Sequence, residues 1–352
     1  MEKKIEQEIQ KRLSRMTLRQ KILQMMFVVP EAIGLPVNAT ANRTLVHLAV
    51  RLHPVGGVIF YGRNLQNQTQ IRQMTENFTS CHQGILLGID EEGGQVSRLS
   101  PINEQIRLPL MNTYGTPEKR TEGRIIGQTL STGLKQCGMN VNFAPVADVF
   151  TNPDNTFLAR RCFSSDPETV AMLVQDIVHG HRENRIISCA KHFPGHGSTV
   201  GDPHEEIVRS GRTLKQLQEC DLIPFEKAIE EKIPMIMAGH ILFPEIDNEH
   251  PATLSKIILT DLLKKKMGFE GIVICDALRM KAIRKKSSAE EAAVQAILAG
   301  CDMLLGVDYL NKAIRVIKKA VKQGRISEQR IDESVARILK VKMEYGLTGG
   351  RQ

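Results

Sequence analysis

Apolar residues follow two rhythms along this chain. Short unbroken runs rich in β-branched residues alternate with longer stretches at helical spacing. Val55 to Tyr61 (VGGVIFY) and Gly84 to Asp90 (GILLGID) are of the first kind. So are Met139 to Val149, Ile186 to Lys191, Met235 to His240, Gly271 to Asp276 and Asp302 to Gly306. Each predicts a buried strand. An eighth is predicted near Val28 or Val29, after a helix opened by the capping box Thr17-x-x-Gln20. Helical spacing predicts helices over 68–78, 117–137, 166–184, 214–231 with a break near Pro224, 255–267, 289–298, 310–322 and 328–345. Asp166-Pro167 suits a helix start, because Asp can cap and Pro fits the first turn.

Strands that are apolar on both faces, each followed by a helix, predict a parallel sheet covered on both sides. A doubly wound sheet and a (β/α)8 barrel both satisfy this. No GxGxxG follows the first strand, and no Walker A motif occurs. Polar residues stand at the ends of many strands: Asp90, Asp148, Lys191, His240 and Asp276. One switch point would gather them at one or two strands, whereas a barrel builds its site from all its βα loops. The fold expected is therefore a single TIM-like (β/α)8 barrel. At 352 residues the chain could hold two domains, but no linker or composition break divides it. It is read as one barrel domain over 1–352, with its core at about 15–346.

Composition narrows the function classes. Apolar residues make up 41% and charged residues 24%, as in a soluble globular chain. The net charge of +8 has no obvious block, aromatics are 4% and Trp is absent, which argues against a nucleic-acid partner. No apolar stretch approaches the about 20 residues of a membrane span. The basic start and the apolar run from Ile22 lack a nearby small-residue cleavage site. The seven cysteines are odd in number and form no CxxC, which suits buried reduced thiols in the cytoplasm.

The densest chemistry is Lys191-His192-Phe193-Pro194-Gly195-His196-Gly197, which runs on to Asp202-Pro203-His204. Two prolines and three glycines within 191–204 exclude a helix, so the His192/His196 spacing does not set two rings on one helical face as a zinc site would. Asp202-x-His204 places a carboxylate near an imidazole, a pair suited to general acid and base work near neutral pH. Asp276 ends an apolar strand and is a candidate nucleophile or metal ligand. The segment from Gly88 to Arg98 sets acids and a base around Gly93-Gly94, the groups that recognition of sugar hydroxyls or of carbonyls needs. Arg160 and Arg161 lie between apolar residues.

Together these segments resemble glycoside hydrolase family 3, in its β-N-acetylglucosaminidase branch. KHFPGHG at 191–197 followed by Asp202-x-His204 carries the resemblance. IDEEGGQVSRL at 89–99, NFAPVADV at 142–149, RRCFSSDP at 160–167, PATLS at 251–255 and VICDALRM at 273–280 support it. The resemblance implies a retaining exo-β-N-acetylglucosaminidase acting on peptidoglycan or muropeptide fragments during cell-wall recycling. Asp276 would be the nucleophile, and His204, paired with Asp202, the general acid and base. Asp90, Arg98, Arg161, Lys191 and His192 would hold the sugar, while His196 would shape the loop. No metal or organic cofactor is implied, and the partner would be a small carbohydrate bound by a monomer.

Three positions depart from the family pattern. Pro203 stands where Ser is usual, Gln95 replaces an Arg common after the Gly-Gly pair, and Arg160 brings a positive charge beside Arg161. The last suggests a substrate that carries carboxylates. The alternatives are a β-glucosidase or glycoside phosphorylase of the same family, a metal-dependent barrel hydrolase using His192, His196 and His204, and an inactive sugar-binding relative.

Overall fold

The computed structural model describes residues 2–37, 41–116, 118–199, 201, 207–284 and 288–348. Its strands are β1 (Met26–Val28), β2 (Gly57–Phe60), β3 (Leu86–Ile89), β4 (Val141–Asn142), β5 (Ile187–Phe193), β6 (Val208–Arg209), β7 (Met235–Ala238), β8 (Ile241–Leu242), β9 (Ile272–Cys275) and β10 (Leu304–Leu305). Eight of them form one sheet in the order β10-β1-β2-β3-β4-β5-β7-β9, and every pairing is parallel. Its two edges meet. Ile274 pairs with Met303 in parallel, and the Cys275 N–H donates to the Met303 carbonyl at 3.2 Å. The expected barrel is therefore the fold, with β6 and β8 as a separate parallel pair.

The apolar runs become strands because both faces are covered, and every residue of β1, β2, β3 and β5 is buried. Phe27 and Phe143 meet edge to face inside the barrel, with ring centroids 5.1 Å apart. Two strand glycines make room for them. A Cβ on Gly57 would lie 2.6 Å from the Phe27 ring, and one on Gly88 would lie 2.8 Å from Phe27 and 2.9 Å from Phe143. The glycines of VGGVIFY and GILLGID are thus packing residues.

Three expectations need correction. The run from Met139 to Val149 is a strand only over Val141–Asn142. Pro145 has no N–H for the ladder, and the chain rejoins β5 through a single bridge from Val146 to Lys191. The helix expected from 117 begins at Gly123, because residues 119–122 are spent on turns that close on Thr116 and Lys119. Two unanticipated helices, Glu2–Arg15 and Arg43–Leu52, pack outside the barrel. Elsewhere local chemistry acts as read. Thr17 and Gln20 form their reciprocal cap, Asp166 caps Pro167–Glu183, and the 214–231 stretch breaks before a helix that carries Pro224 in its first turn. All seven cysteines are unpaired, five buried, with Cys81 and Cys220 half-buried. Among the described residues, no helix is long and apolar enough to cross a membrane.

The end of the barrel opposite the site holds a buried cation. Lys342 is 1% exposed, and its Nζ donates to Gln24 Oε1 at 2.8 Å. Burial, with Arg12 nearby, pulls the ammonium down to about 7. In the unfolded chain it stays near about 10.4. Below pH 7 the folded protein carries the full penalty of the buried charge. The penalty then falls as pH rises towards the unfolded value. Lys342→Met is expected to raise Tm, by an amount constant below pH 7 that shrinks steadily from pH 7 to 10. Tm differences between the two proteins across that range check this, and a pH-independent difference would refute it.

Candidate active site

The carboxyl ends of the barrel strands converge on one cavity of about 310 Å³, towards the small end of ligand pockets. Asp90, Arg98, Arg161, Lys191, His192 and Asp276 all line it. Sequence positions 90 to 276 are brought together because they follow or end four strands: Asp90 and Arg98 follow β3, Arg161 follows β4, Lys191 and His192 end β5, and Asp276 follows β9. Asp202, Pro203 and His204 lie outside the described residues. The ends of the segment that carries them are tied, since Ser198 Oγ and Ser210 Oγ are 2.8 Å apart and the Ser210 N–H donates to Leu242 at 3.0 Å.

Glu92 organises one wall. Arg161 donates to both its oxygens, from Nε at 2.9 Å and from a terminal nitrogen at 2.7 Å. Lys191 Nζ lies 2.6 Å from Glu92 and 2.8 Å from Asp90. Burial alone would raise the Glu92 carboxyl, but the Arg161 and Lys191 charges outweigh it and hold Glu92 ionised. Burial would likewise lower Lys191, and Asp90 with Glu92 holds it above its usual value. Two carboxylates and two cations thus fix one another.

Asp148, wholly buried at the end of the broken fourth strand run, orients the loop after β5. It accepts from His192 Nδ1 at 2.8 Å and from the backbone N–H groups of His192 and His196 at 3.1 and 2.7 Å. The His192 proton therefore sits on Nδ1, which leaves Nε2 for the cavity. His196 points elsewhere. Its Nδ1 pairs with Thr199 Oγ1 at 2.6 Å, its Nε2 is buried without a partner, and burial pushes the ring down to about 4. Among the described residues, no group of three or more His, Cys, Asp or Glu side chains is placed to hold a metal ion.

Asp276 follows β9. Its N–H donates to the Ala238 carbonyl at 2.9 Å, and its Oδ1 accepts the Ala277 N–H at 2.7 Å. Burial pushes its carboxyl up, but His240, His192 and the Ala277 N–H outweigh this and keep it below its usual value. Arg98 is carried on a turn built by Glu91, which accepts the Arg98 and Leu99 N–H groups at 2.7 and 2.8 Å. Asn142 pins the same turn, accepting the Glu91 N–H at 3.1 Å and donating to its carbonyl at 2.9 Å. Gly93 and Gly94 adopt φ of 87° and 58°, which lets the chain reverse there.

Sequence reasoning gave no individual role to four contributors. Glu92 and Asp148 were visible as carboxylates, but their partners lie 69 and 44 residues away. Tyr61 and Arg279 also line the cavity, and the signal available was position, Tyr61 directly after β2 and Arg279 three residues after Asp276. Arg160 is a correction, being exposed and absent from the cavity lining, whereas its neighbour Arg161 turns inward.

Residues 17–341 match the model of the glycosyl hydrolase family 3 N terminal domain. A β-hexosaminidase of Chromobacterium violaceum is 34% identical over 261 residues, 72% of each chain. One of Nitrosomonas eutropha is 32% identical over 324 residues, covering 88% of this chain and 91% of that protein. A family 3 β-N-acetylglucosaminidase from a Paenibacillus superposes with a TM-score of 0.88 at 31% identity. That match covers 96% of this chain, which spans 64% of the Paenibacillus chain's length. NagZ from Neisseria gonorrhoeae, solved with N-trifluoroacetyl-D-glucosamine, superposes with a TM-score of 0.72 at 28% identity, covering 90% of this chain and 89% of that one.

Glu92→Gln keeps the side chain's shape but leaves Arg161 and Lys191 short of a buried counter-charge. It is expected to cost about 3–5 kcal/mol of stability, measured by urea unfolding. A loss under about 1 kcal/mol would show that the two cations do not depend on Glu92.

Proposed function

Starting from a chain that belongs to glycosyl hydrolase family 3 and is a β-N-acetylhexosaminidase, we propose that it is a retaining exo-β-N-acetylglucosaminidase. It would release terminal β-linked N-acetylglucosamine from peptidoglycan fragments during cell-wall recycling. The observation that carries this reading is the state of Asp276. Three carboxylates line the cavity; Asp90 and Glu92 are paired with lysine or arginine, while Asp276 has no such partner among the described residues. An ionised carboxylate with no lysine or arginine ion pair among the described residues, half-buried and held by a backbone N–H, suits a nucleophile.

In the proposed reaction an Asp276 oxygen attacks the anomeric carbon as the glycosidic C–O bond breaks. His204, charged and oriented by Asp202, gives its proton to the leaving oxygen. Water then attacks the glycosyl ester, His204 takes the water's proton, and the Asp276–carbon bond breaks. Two inversions at one carbon give net retention, with a His–Asp pair in place of the usual second carboxylate. Asp90, Arg98, Arg161, Lys191 and His192 would hold the hydroxyls and the acetamido group, and the size of the cavity suits a single sugar unit. One barrel over 1–352, working as a monomer, would then suffice for catalysis. The unpaired thiols fit a reducing compartment, and the cytoplasm is the proposed location.

Asp276→Asn is expected to reduce turnover to background while leaving the fold intact by circular dichroism. Wild-type rates from that variant would refute the assignment. His204→Ala should slow cleavage of a natural disaccharide by about 10²–10⁴-fold, and slow a substrate with an acidic leaving group far less. An equal loss on both would remove the acid role. NMR of the first-formed product should show the β-anomer, and product analysis with and without phosphate should show free sugar rather than a sugar phosphate. An α-anomer or a sugar phosphate would replace this reading with inversion or phosphorolysis.

A further inference from the structure

The charges that line the cavity are unequally satisfied. Lys191 and Arg161 are neutralised by Asp90 and Glu92. Arg98 forms no ion pair among the described residues, but its Nε is buried away from solvent and its charge acts on the buried Glu91, to which its backbone N–H donates. Arg279 is different. It is half-buried, lines the cavity three residues after Asp276, and no carboxylate pairs with it among the described residues. Its guanidinium lies over the Tyr61 ring, 5.0 Å from the centroid. Arg63 approaches the same ring at 5.1 Å, but Glu31 holds it at 3.0 Å.

This contact spans the cavity mouth. Tyr61 leaves β2 and Arg279 follows β9, with β10 and β1 between those strands in the barrel. Burial and the nearby Asp90 push the Tyr61 phenol up to about 12, so the ring remains neutral. A neutral ring orients a guanidinium by cation–π attraction without cancelling its charge. The planar fork keeps its edge N–H donors for a ligand, in the geometry that pairs bidentately with a carboxylate. The result is an oriented, uncompensated cation beside the nucleophile, outside the ion pairs that would hold the terminal sugar.

We propose that Arg279, held over Tyr61, is the specificity-determining residue that reads a carboxylate on the aglycone, the group attached to the departing oxygen. The proposal rests on the glycosidase reading above and assigns to Arg279 the discrimination that the sequence had suggested for Arg160. Arg279 acts on which substrate is preferred, and the bond-breaking steps remain those of Asp276 and His204.

The test compares kcat/KM for N-acetylglucosaminyl-β-1,4-N-acetylmuramic acid with that for its carboxamide, which matches it in shape but carries no charge. The wild type is expected to prefer the acid by about 10–100-fold, the range for hydrogen bonds to a charged group. The preference should shrink as salt rises from about 10 mM to about 1 M and screening shortens. Arg279→Gln should bring the acid-to-amide ratio close to one, Arg279→Lys should restore part of it, and Tyr61→Leu should lower it by loosening Arg279. Arg160→Ala should leave the ratio unchanged. A wild-type ratio near one overturns the proposal without need of any variant, as does a ratio that survives Arg279→Gln or collapses in Arg160→Ala. Cleavage of neither disaccharide, with Asp276→Asn as the blank, overturns the glycosidase reading itself.

Discussion

A carboxylate only 4% exposed, Glu92, accepts hydrogen bonds from Arg161 and lies 2.6 Å from the Lys191 ammonium. Each of these charges would be costly to bury alone, and the pairing is what makes the wall of the cavity stable as ions. It also sets geometry. Glu92 follows β3, Arg161 follows the fourth strand run and Lys191 belongs to β5, so one side chain ties three successive strand ends together. The donors that would meet a sugar are thereby oriented before it arrives, and little reorganisation is left to binding.

The same pairing explains what is left over. With Asp90 and Glu92 committed to cations, Asp276 is left without a lysine or arginine ion pair among the described residues, and Arg279, like Arg98, has no carboxylate ion pair there. The proposed nucleophile and the proposed aglycone contact both follow from that charge balance. The chain's +8 is otherwise spread over its surface, and its sign says little about the site. Asp148 performs the companion task for the loop after β5, fixing the proton of His192 and the backbone at His196 at once.

The family's barrel accommodates this chemistry because its strands end on one side and its loops need little structure of their own. The turn from 90 to 99 is held by Glu91 and Asn142, and Ser198 and Ser210 meet at the two ends of the segment between them. Interior packing answers to a separate constraint. Phe27 and Phe143 fill the barrel where Gly57 and Gly88 leave space.

Much of this was legible in the sequence, because periodicity, caps and strand-end chemistry are local. The eight apolar runs became the eight barrel strands, Thr17 and Asp166 capped as expected, and the six described site residues share one cavity. Partnership was not legible. That Glu92 and not another acid neutralises Arg161, that Arg161 turns inward while Arg160 faces out, and that Arg279 reaches Tyr61 across the mouth are decided by strands meeting around a closed sheet. The short fourth strand, by contrast, has a local cause that the sequence carried, because Pro145 offers the ladder no N–H donor. Local pattern determines which residues a strand end carries. Only closure of the barrel determines which charges face one another, because Coulomb and hydrogen-bond energies depend on distances in space and not on separation along the chain.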